Sequence, residues 1–385
     1  MRILFTSSPG WGHVHPMVPL ATALLDRGDE LLWATGSDSC VRLEREGFTT
    51  SPAGLGEREG MSGFYERFPE VHELPPQDRS DFMFPRLFGT IRAASMLADL
   101  APVAEEWSPD LVVSDAAEFA GPLVAAGLGI GGVSHAFGAL LPEPRVAAAG
   151  KEVEPLWTGR GLEPRPYGGM YDHLYVDIYP PSLQPSDRPH VPATQLLRPG
   201  SFATSGDEPV PAWVTAPSEA PLVYITFGTV FSNNEALEAI VEAVRELPVR
   251  VAVTVGPHGD PASLGTQPDN VHVARYIPQG ELLKHCAAVV SHAGSGTFLA
   301  ALAAQIPQLC VPQAADQFFN AEACVRSGTG LTLQPGEVSV ESVRDAVRRL
   351  LSEPGFRSAA ARVSGEIDDM ASPSTVADVL HDRFG

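Results

Sequence analysis

The chain reads as an α/β protein of two doubly wound, parallel-sheet domains, and three observations carry that reading. Its 385 residues exceed what one hydrophobic core ordinarily supports. Short apolar, β-branched runs alternate with helical periodicity in both halves, the pattern of repeated strand–helix–strand units. Between the halves, residues 206–221 carry acids and Pro209, Pro211, Pro217 and Pro221, the composition of an interdomain connection. The resulting division is a first domain over 1–205, a linker over 206–221, a second domain over 222–368 and a terminal helix within 369–385.

In the first half, Arg2–Phe5, Glu30–Ala34 and Leu111–Val113 read as parallel strands, with Pro19–Asp26 and Ser39–Glu46 as helices between them. From Gly54 to Leu100 the alternation lapses into a segment bearing Tyr65, Phe68, Met83 and Met96 among other large apolar residues, and Gly138–Gly169 is a second irregular stretch. Singly, such residues ordinarily cover a sheet; together they predict an apolar pocket, with Phe64, Phe82, Phe84, Phe88, His135 and Phe137 as its candidate lining. The second half repeats the pattern with strands at 222–227, 249–255, 271–274, 287–291 and 308–311, and helices at 234–246, 280–285 and 297–304. Residues 338–351 are amphipathic, and 373–383 read as a final helix.

Charge and composition narrow the function classes. With 26 basic against 47 acidic residues, a net of −21, neither nucleic acid nor an anionic membrane surface is an expected partner. Residues 1–5 are followed by Pro9 and Gly10 and make no signal peptide; no stretch reads as long and uncharged enough to cross a bilayer, so a cytoplasmic protein is expected. Cys40, Cys286, Cys310 and Cys324 lack metal-ligand spacing and read as reduced structural residues.

The most informative stretch runs from His292 to Gln317. An apolar strand there leads into a turn with Gly294 and Gly296 at a helix N-terminus, where unpaired amides and the helix dipole favour phosphate oxygens. Such a turn also serves merely to pack helix on sheet. His292 stands at the strand's carboxyl edge, and the next strand delivers Pro312 and the Asp316–Gln317 pair to that same edge. A carboxylate beside an amide suits a polyhydroxyl ligand, accepting from some hydroxyls and donating to others. Near the N-terminus, His13 follows the first strand and Asp115 follows the strand at 111–113, so both emerge at one sheet edge. On their own, His13 could be an ordinary turn histidine and Asp115 a helix cap.

The block from His292 to Gln317 resembles the donor-binding signature of the family 1 glycosyltransferases, in its actinobacterial antibiotic-tailoring branch. Val223–Thr229 is similar to that family's phosphate loop, Tyr276–Gln279 to its base-binding turn, and Gly10–Pro16 to the turn that carries its catalytic base. The resemblance implies a GT-B fold, two Rossmann-like domains facing across a cleft with the final helix crossing back to the first. It implies a nucleotide-sugar donor, a small-molecule aglycone acceptor and inverting transfer to oxygen, by a monomer or homodimer. His13 would be the base and Asp115 the acid that orients it and stabilises the imidazolium. Tyr276, with Ile277 and Gln279, would hold the nucleobase and ribose; Thr229, His292, Gly294, Ser295, Gly296 and Thr297 the diphosphate; Asp316, Gln317 and Asn320 the sugar. No DxD-type acidic motif lies near this loop, so no metal cofactor is expected.

Two departures from the plant members refine the donor. Ala300 stands where those members place a ribose-binding glutamate, which favours a deoxyribose donor, a dTDP-sugar, over UDP-glucose. Ser295 replaces an aromatic residue, as in the bacterial branch. His15 and Glu118 are weaker polar candidates. A dehydrogenase is excluded by the broken glycine pattern around Gly10, Gly12 and His15. A nucleotide-sugar epimerase and a non-catalytic auxiliary protein remain the alternatives.

Overall fold

The computed structural model describes residues 1–75, 77–185, 187–200, 209–227, 234–256 and 259–385. They form two compact units: Met1–Tyr179 with Gln184–Pro199 and Met370–Gly385, and Pro180–Leu183 with Gly200–Asp369.

The first unit is built on seven parallel strands, β1 (Arg2–Thr6), β2 (Glu30–Thr35), β3 (Thr50–Pro52), β4 (Leu111–Asp115), β5 (Gly131–His135), β6 (Leu174–Asp177) and β7 (Thr194–Leu196). Their order is β3-β2-β1-β4-β5-β6-β7, so the winding reverses between β1 and β4, where open α/β sheets bind ligands at the carboxyl edge. Its helices are α1 (Trp11–Val14), α2 (Val18–Arg27), α3 (Ser37–Arg45), α4 (Glu57–Arg67), α5 (Arg79–Phe84), α6 (Ala93–Trp107), α7 (Ala120–Leu128) and α8 (Glu143–Gly159). The central strands are wholly buried, with Ile3, Leu4, Phe5, Leu111, Val112 and Val113 fully covered by helices on both faces.

The stretch from Gly54 to Leu100 is helical. Residues Pro85–Arg92 form a π-helix that joins α5 to α6 in one run, and its wider turn displaces the apolar positions from a 3.6-residue period. Against the expectation that no stretch could cross a membrane, this run, Arg79–Trp107, meets that test by length and composition. Half of its most apolar window is buried inside the unit, as in a core helix. The second stretch expected to be irregular holds α8, which Pro155 and two glycines had obscured.

The second unit carries six parallel strands, β8 (Leu222–Thr226), β9 (Arg250–Thr254), β10 (Val271–Ala274), β11 (Cys286–Ser291), β12 (Gln308–Cys310) and β13 (Gly330–Thr332), in the order β10-β9-β8-β11-β12-β13. Its helices are α9 (Ala212–Thr215), α10 (Asn234–Val244), α11 (Gln279–Leu283), α12 (Ser295–Ala303), α13 (Gln317–Ser327), α14 (Val340–Ser352) and α15 (Pro354–Asp369). The segment read as a linker differs from expectation in its described part. Val214 is buried in this unit's core, and the Arg250 guanidinium donates to the carbonyls of Trp213, Val214 and Ala216, tying the segment to β9. Its prolines shape a packed entry to β8.

The chain then returns to the first unit as α16 (Pro373–Phe384), which packs on α2. His381 Nε2 lies 2.8 Å from both oxygens of the buried Asp29, and Arg27 pairs with Asp378.

Candidate active site

The first group of polar residues lies at the reversal point of the first sheet. Gly10, at φ 107°, lets the chain leave β1 sharply, and α1 then carries His13 back over the sheet edge. Asp115 is the last residue of β4 and fully buried. His13 Nδ1 lies 2.9 Å from Asp115 Oδ2, with the ring N–H somewhat off that line. The carboxylate is fixed from its other side: the Ser8 amide donates to Oδ2 and the Ala117 amide to Oδ1. A buried carboxylate so held keeps one geometry, while the His13 side chain retains 18% exposure through which its other ring nitrogen can meet a ligand.

Of the six candidate pocket residues, two flank this histidine. The rings of Phe137 and Phe88 lie 4.7 Å and 5.4 Å from that of His13. The others do not line it. Phe64 is fully buried in a satellite cluster with Val71 and Leu87, against which Phe82 packs, and Phe84 is buried between Phe88 and Phe119. These three pack among the helices between residues 57 and 92 or against Phe119, with Phe82 half-buried.

His135 is likewise a core residue. It sits beside Asp115 in the β4–β5 register, fully buried, with Nδ1 2.7 Å from the Ala136 carbonyl. Burial lowers its pKa to about 4, against the raising pull of the Ala136 carbonyl and Asp115. His15, stacked on Trp11, is lowered to about 4 by burial and by Arg42. The sign follows directly: between the ordinary 6.5 and about 4 the unfolded chain binds these protons and the folded one does not. Stability therefore falls as pH drops through that window, by on the order of 3 kcal/mol for His135. Chemical denaturation across that window should show a shallower pH slope in His135→Leu.

Glu118 is also structural: Oε2 accepts from Thr6 Oγ1 and the Gly121 amide, and Oε1 from the Ala120 amide, which caps the start of α7. Burial raises its pKa. The residue that sequence reasoning overlooked is Arg92, which closes the π-helix and was indistinguishable by type from Arg79 and Arg86 in the same run.

The second group lies at the reversal point of the second sheet, after β11. Gly294 is the N-cap of α12, and the amides of Ser295, Gly296 and Thr297 have no acceptor within the helix. A Cβ on Gly294 would stand 2.5 Å from His292 Nε2, so only glycine lets the ring lie over the turn. Gly294→Ala should displace that ring and lower stability by about 1–3 kcal/mol; chemical denaturation checks it. Burial lowers the His292 pKa, while Asp316 and the Thr226 backbone raise it.

Three residues of this block hold left-handed backbone without being glycine: Ala293 at φ 63°, Gln305 at φ 60° and Ala315 at φ 55°. Such strain persists only where surroundings impose it. At Ala293 the amide donates to Ser291 Oγ and the carbonyl accepts from Asn320 Nδ2. Asn320 is thus fully buried and turned inward, donating also to Ser295 Oγ and Asp316 Oδ2 rather than reaching out to a sugar or phosphate. Gln317, 2% exposed, accepts at Oε1 from the amides of Gln313 and Ala314 and so shapes the loop before α13. Asp316 is half-buried, with Oδ2 taken by Ser295 Oγ at 2.6 Å. Ser295 therefore locks the Asp316 carboxylate to the start of α12.

The turn after β10 completes this group. Tyr276 is 39% exposed, while the Ile277 side chain is buried and anchors the turn. Gln279 Nε2 donates to Thr297 Oγ1 at 3.1 Å, joining the turn to α12. Thr229 lies outside the described residues. Among the described residues no three His, Cys, Asp or Glu side chains gather in an arrangement that could hold a metal ion, and all four cysteines are buried free thiols.

Two doubly wound units of this topology, each with its polar residues gathered where the strand order reverses, are the architecture of GT-B glycosyltransferases. A solved structure of the glycosyltransferase VinC in complex with dTDP matches with a TM-score of 0.80 at 26% identity, over 99% of each chain. The spinosyn rhamnosyltransferase SpnG complexed with spinosyn aglycone gives a TM-score of 0.83 at 27% identity, over 99% of this chain and 100% of that one. The chain belongs to the erythromycin biosynthesis protein CIII-like family of actinobacterial natural-product glycosyltransferases: the family's N-terminal domain matches residues 61–228 and its C-terminal domain residues 238–382. The L-demethylnoviosyl transferase of Streptomyces niveus is 31% identical over 99% of this chain and 97% of its own.

Proposed function

We propose that this glycosyltransferase is inverting and metal-independent, moving a deoxysugar from dTDP to a hydroxyl of a bulky, apolar aglycone. The observation that carries the reading is the His13–Asp115 pair, 2.9 Å apart at the sheet's reversal point and flanked by Phe88 and Phe137. His13 takes the proton from the acceptor hydroxyl as that oxygen attacks the anomeric carbon, and buried Asp115 stabilises the imidazolium that results. The rings of Phe88 and Phe137 give an apolar acceptor body its contact surface.

At the donor group, the amides at the start of α12 and the His292 ring receive the diphosphate and the charge that builds on it as the sugar leaves. Tyr276 offers its face to the base. The free oxygen of Asp316 meets sugar hydroxyls, while Asn320 and Ser295 position Asp316 and Gln317 holds the loop before α13. Ala300 on α12 leaves no carboxylate for a ribose hydroxyl, and VinC was solved with dTDP, both of which support a dTDP donor.

The test is a reaction with dTDP-rhamnose or dTDP-glucose in EDTA with a panel of hydroxylated aromatic acceptors, followed by mass spectrometry. A glycoside of anomeric configuration opposite to that of its donor, with dTDP released, is the expected product. Conversion of the dTDP-sugar with no acceptor present would instead identify an epimerase.

A further inference from the structure

Arg92 is a buried cation with no use in the mechanism above. It closes the π-helix, four residues after Phe88, and is 7% exposed. Its Nε is buried without a hydrogen-bond partner, and the guanidinium forms no ion pair among the described residues. The carboxylates whose field it feels, Glu57, Asp115 and Asp38, do not reach it. Two of them are engaged elsewhere: Asp38 accepts from the amides of Ser39 and Glu57, and Asp115 holds His13 and the amides of Ser8 and Ala117. A buried guanidinium left without partners is costly, so it marks a position where a ligand supplies them.

The guanidinium borders a small cavity near His13's aromatic neighbour Phe88. Arg92 lines this cavity with Ser7, Ser8, Phe88 and Phe119. Its guanidinium carbon lies 5.3 Å from the Phe88 ring centroid, and the His13 ring lies 5.4 Å from that same ring. Room for the guanidinium depends on Gly60 of α4, where a Cβ would stand 2.9 Å from Nε. Phe88 thus has the base and the unpaired cation as neighbours, both supplied within one unit.

We propose that Arg92 is a specificity-determining residue that binds an acidic oxygen, a carboxylate or an enolate of a vinylogous acid, carried by the acceptor close to the hydroxyl that is glycosylated. The inference rests on the acceptor being held beside His13. The planar fork of the guanidinium matches two oxygens of such a group, and the buried setting strengthens each bond. Phe88 and Phe137 take the apolar body of the same molecule.

The probes are 3-hydroxy-2-naphthoic acid and its methyl ester, titrated by their fluorescence into the full chain, with dTDP affinity measured in parallel. Wild type should bind the acid about tenfold or more tighter than the ester. Arg92→Gln should abolish that preference by weakening the acid alone, Arg92→Lys should keep part of it, and dTDP affinity should stay unchanged in both. Where Arg92→Gln does not fold, Gly60→Ala, which crowds Nε, should give the same loss. Equal binding of acid and ester by wild type, binding of neither, or a preference that survives Arg92→Gln would overturn the proposal. Destabilisation in Arg92→Gln without an acid preference in wild type would assign Arg92 a structural role. Failure of dTDP to bind, by contrast, bears on the transferase reading and leaves the acid–ester comparison to stand by itself.

Discussion

Replacing His13 by alanine should lower turnover by about 10²–10⁴-fold while leaving dTDP affinity within about twofold, because the base acts only as the acceptor oxygen attacks. The side chain's place in the structure supports so selective an effect. It is part-exposed on a short helix and packed edgewise on Phe88 and Phe137, so its removal opens space at the pocket wall and leaves the core of the first unit intact. Single-turnover rates with saturating donor, compared with dTDP titrations, separate the two quantities. Losses of similar size in both would make His13 a structural residue.

Asp115→Asn should reduce turnover comparably, by about 10²–10⁴-fold, and unlike His13→Ala it should also destabilise the fold. The carboxylate accepts from the amides of Ser8 and Ala117 while facing His13 Nδ1. An amide has one accepting oxygen, so its NH2 must confront at least one donor, at a cost of about 1–3 kcal/mol. It also leaves the imidazolium without its counter-charge. Since the two residues act as a unit, the double variant His13→Ala, Asp115→Asn should turn over no more slowly than His13→Ala alone within about threefold, a non-additivity expected of a dyad. Multiplicative losses would separate their roles.

What the sequence disclosed and what it hid have different physical origins. β1, β4, β8 and β11 are central strands, buried on both faces, and so read as continuous apolar runs; the polar residues at their carboxyl ends then stood out. The remaining strands read unevenly: β2, β9, β10 and β12 were legible, while β3, β5, β6, β7 and β13 were not. β3 is three residues ending in proline, β5 begins with two glycines, and β13 is three residues long, too little for any periodicity to register. The helical run over 79–107 escaped because its π-helix breaks the expected spacing, and Arg92 was hidden with it.

At the site, residue type was legible and direction was not. A polar side chain at a helix start can face a ligand or the protein with equal chemical reason. Asn320 and Gln317 turned inward because the strained turns at Ala293 and Ala315 need their hydrogen bonds. His135 was among the candidate pocket residues, yet as the last residue of β5 it is wholly buried. Glu118 stood at the right edge and was claimed by the backbone of α7.

Titration of dTDP and UDP into the full chain in EDTA probes for a dTDP-sugar site formed without metal at the start of α12. Saturable binding with dTDP about tenfold or more tighter than UDP is the predicted result, accompanied by a rise in thermal stability from mass action on the native state. Binding of neither nucleotide, or binding restored only by a divalent cation, would contradict it.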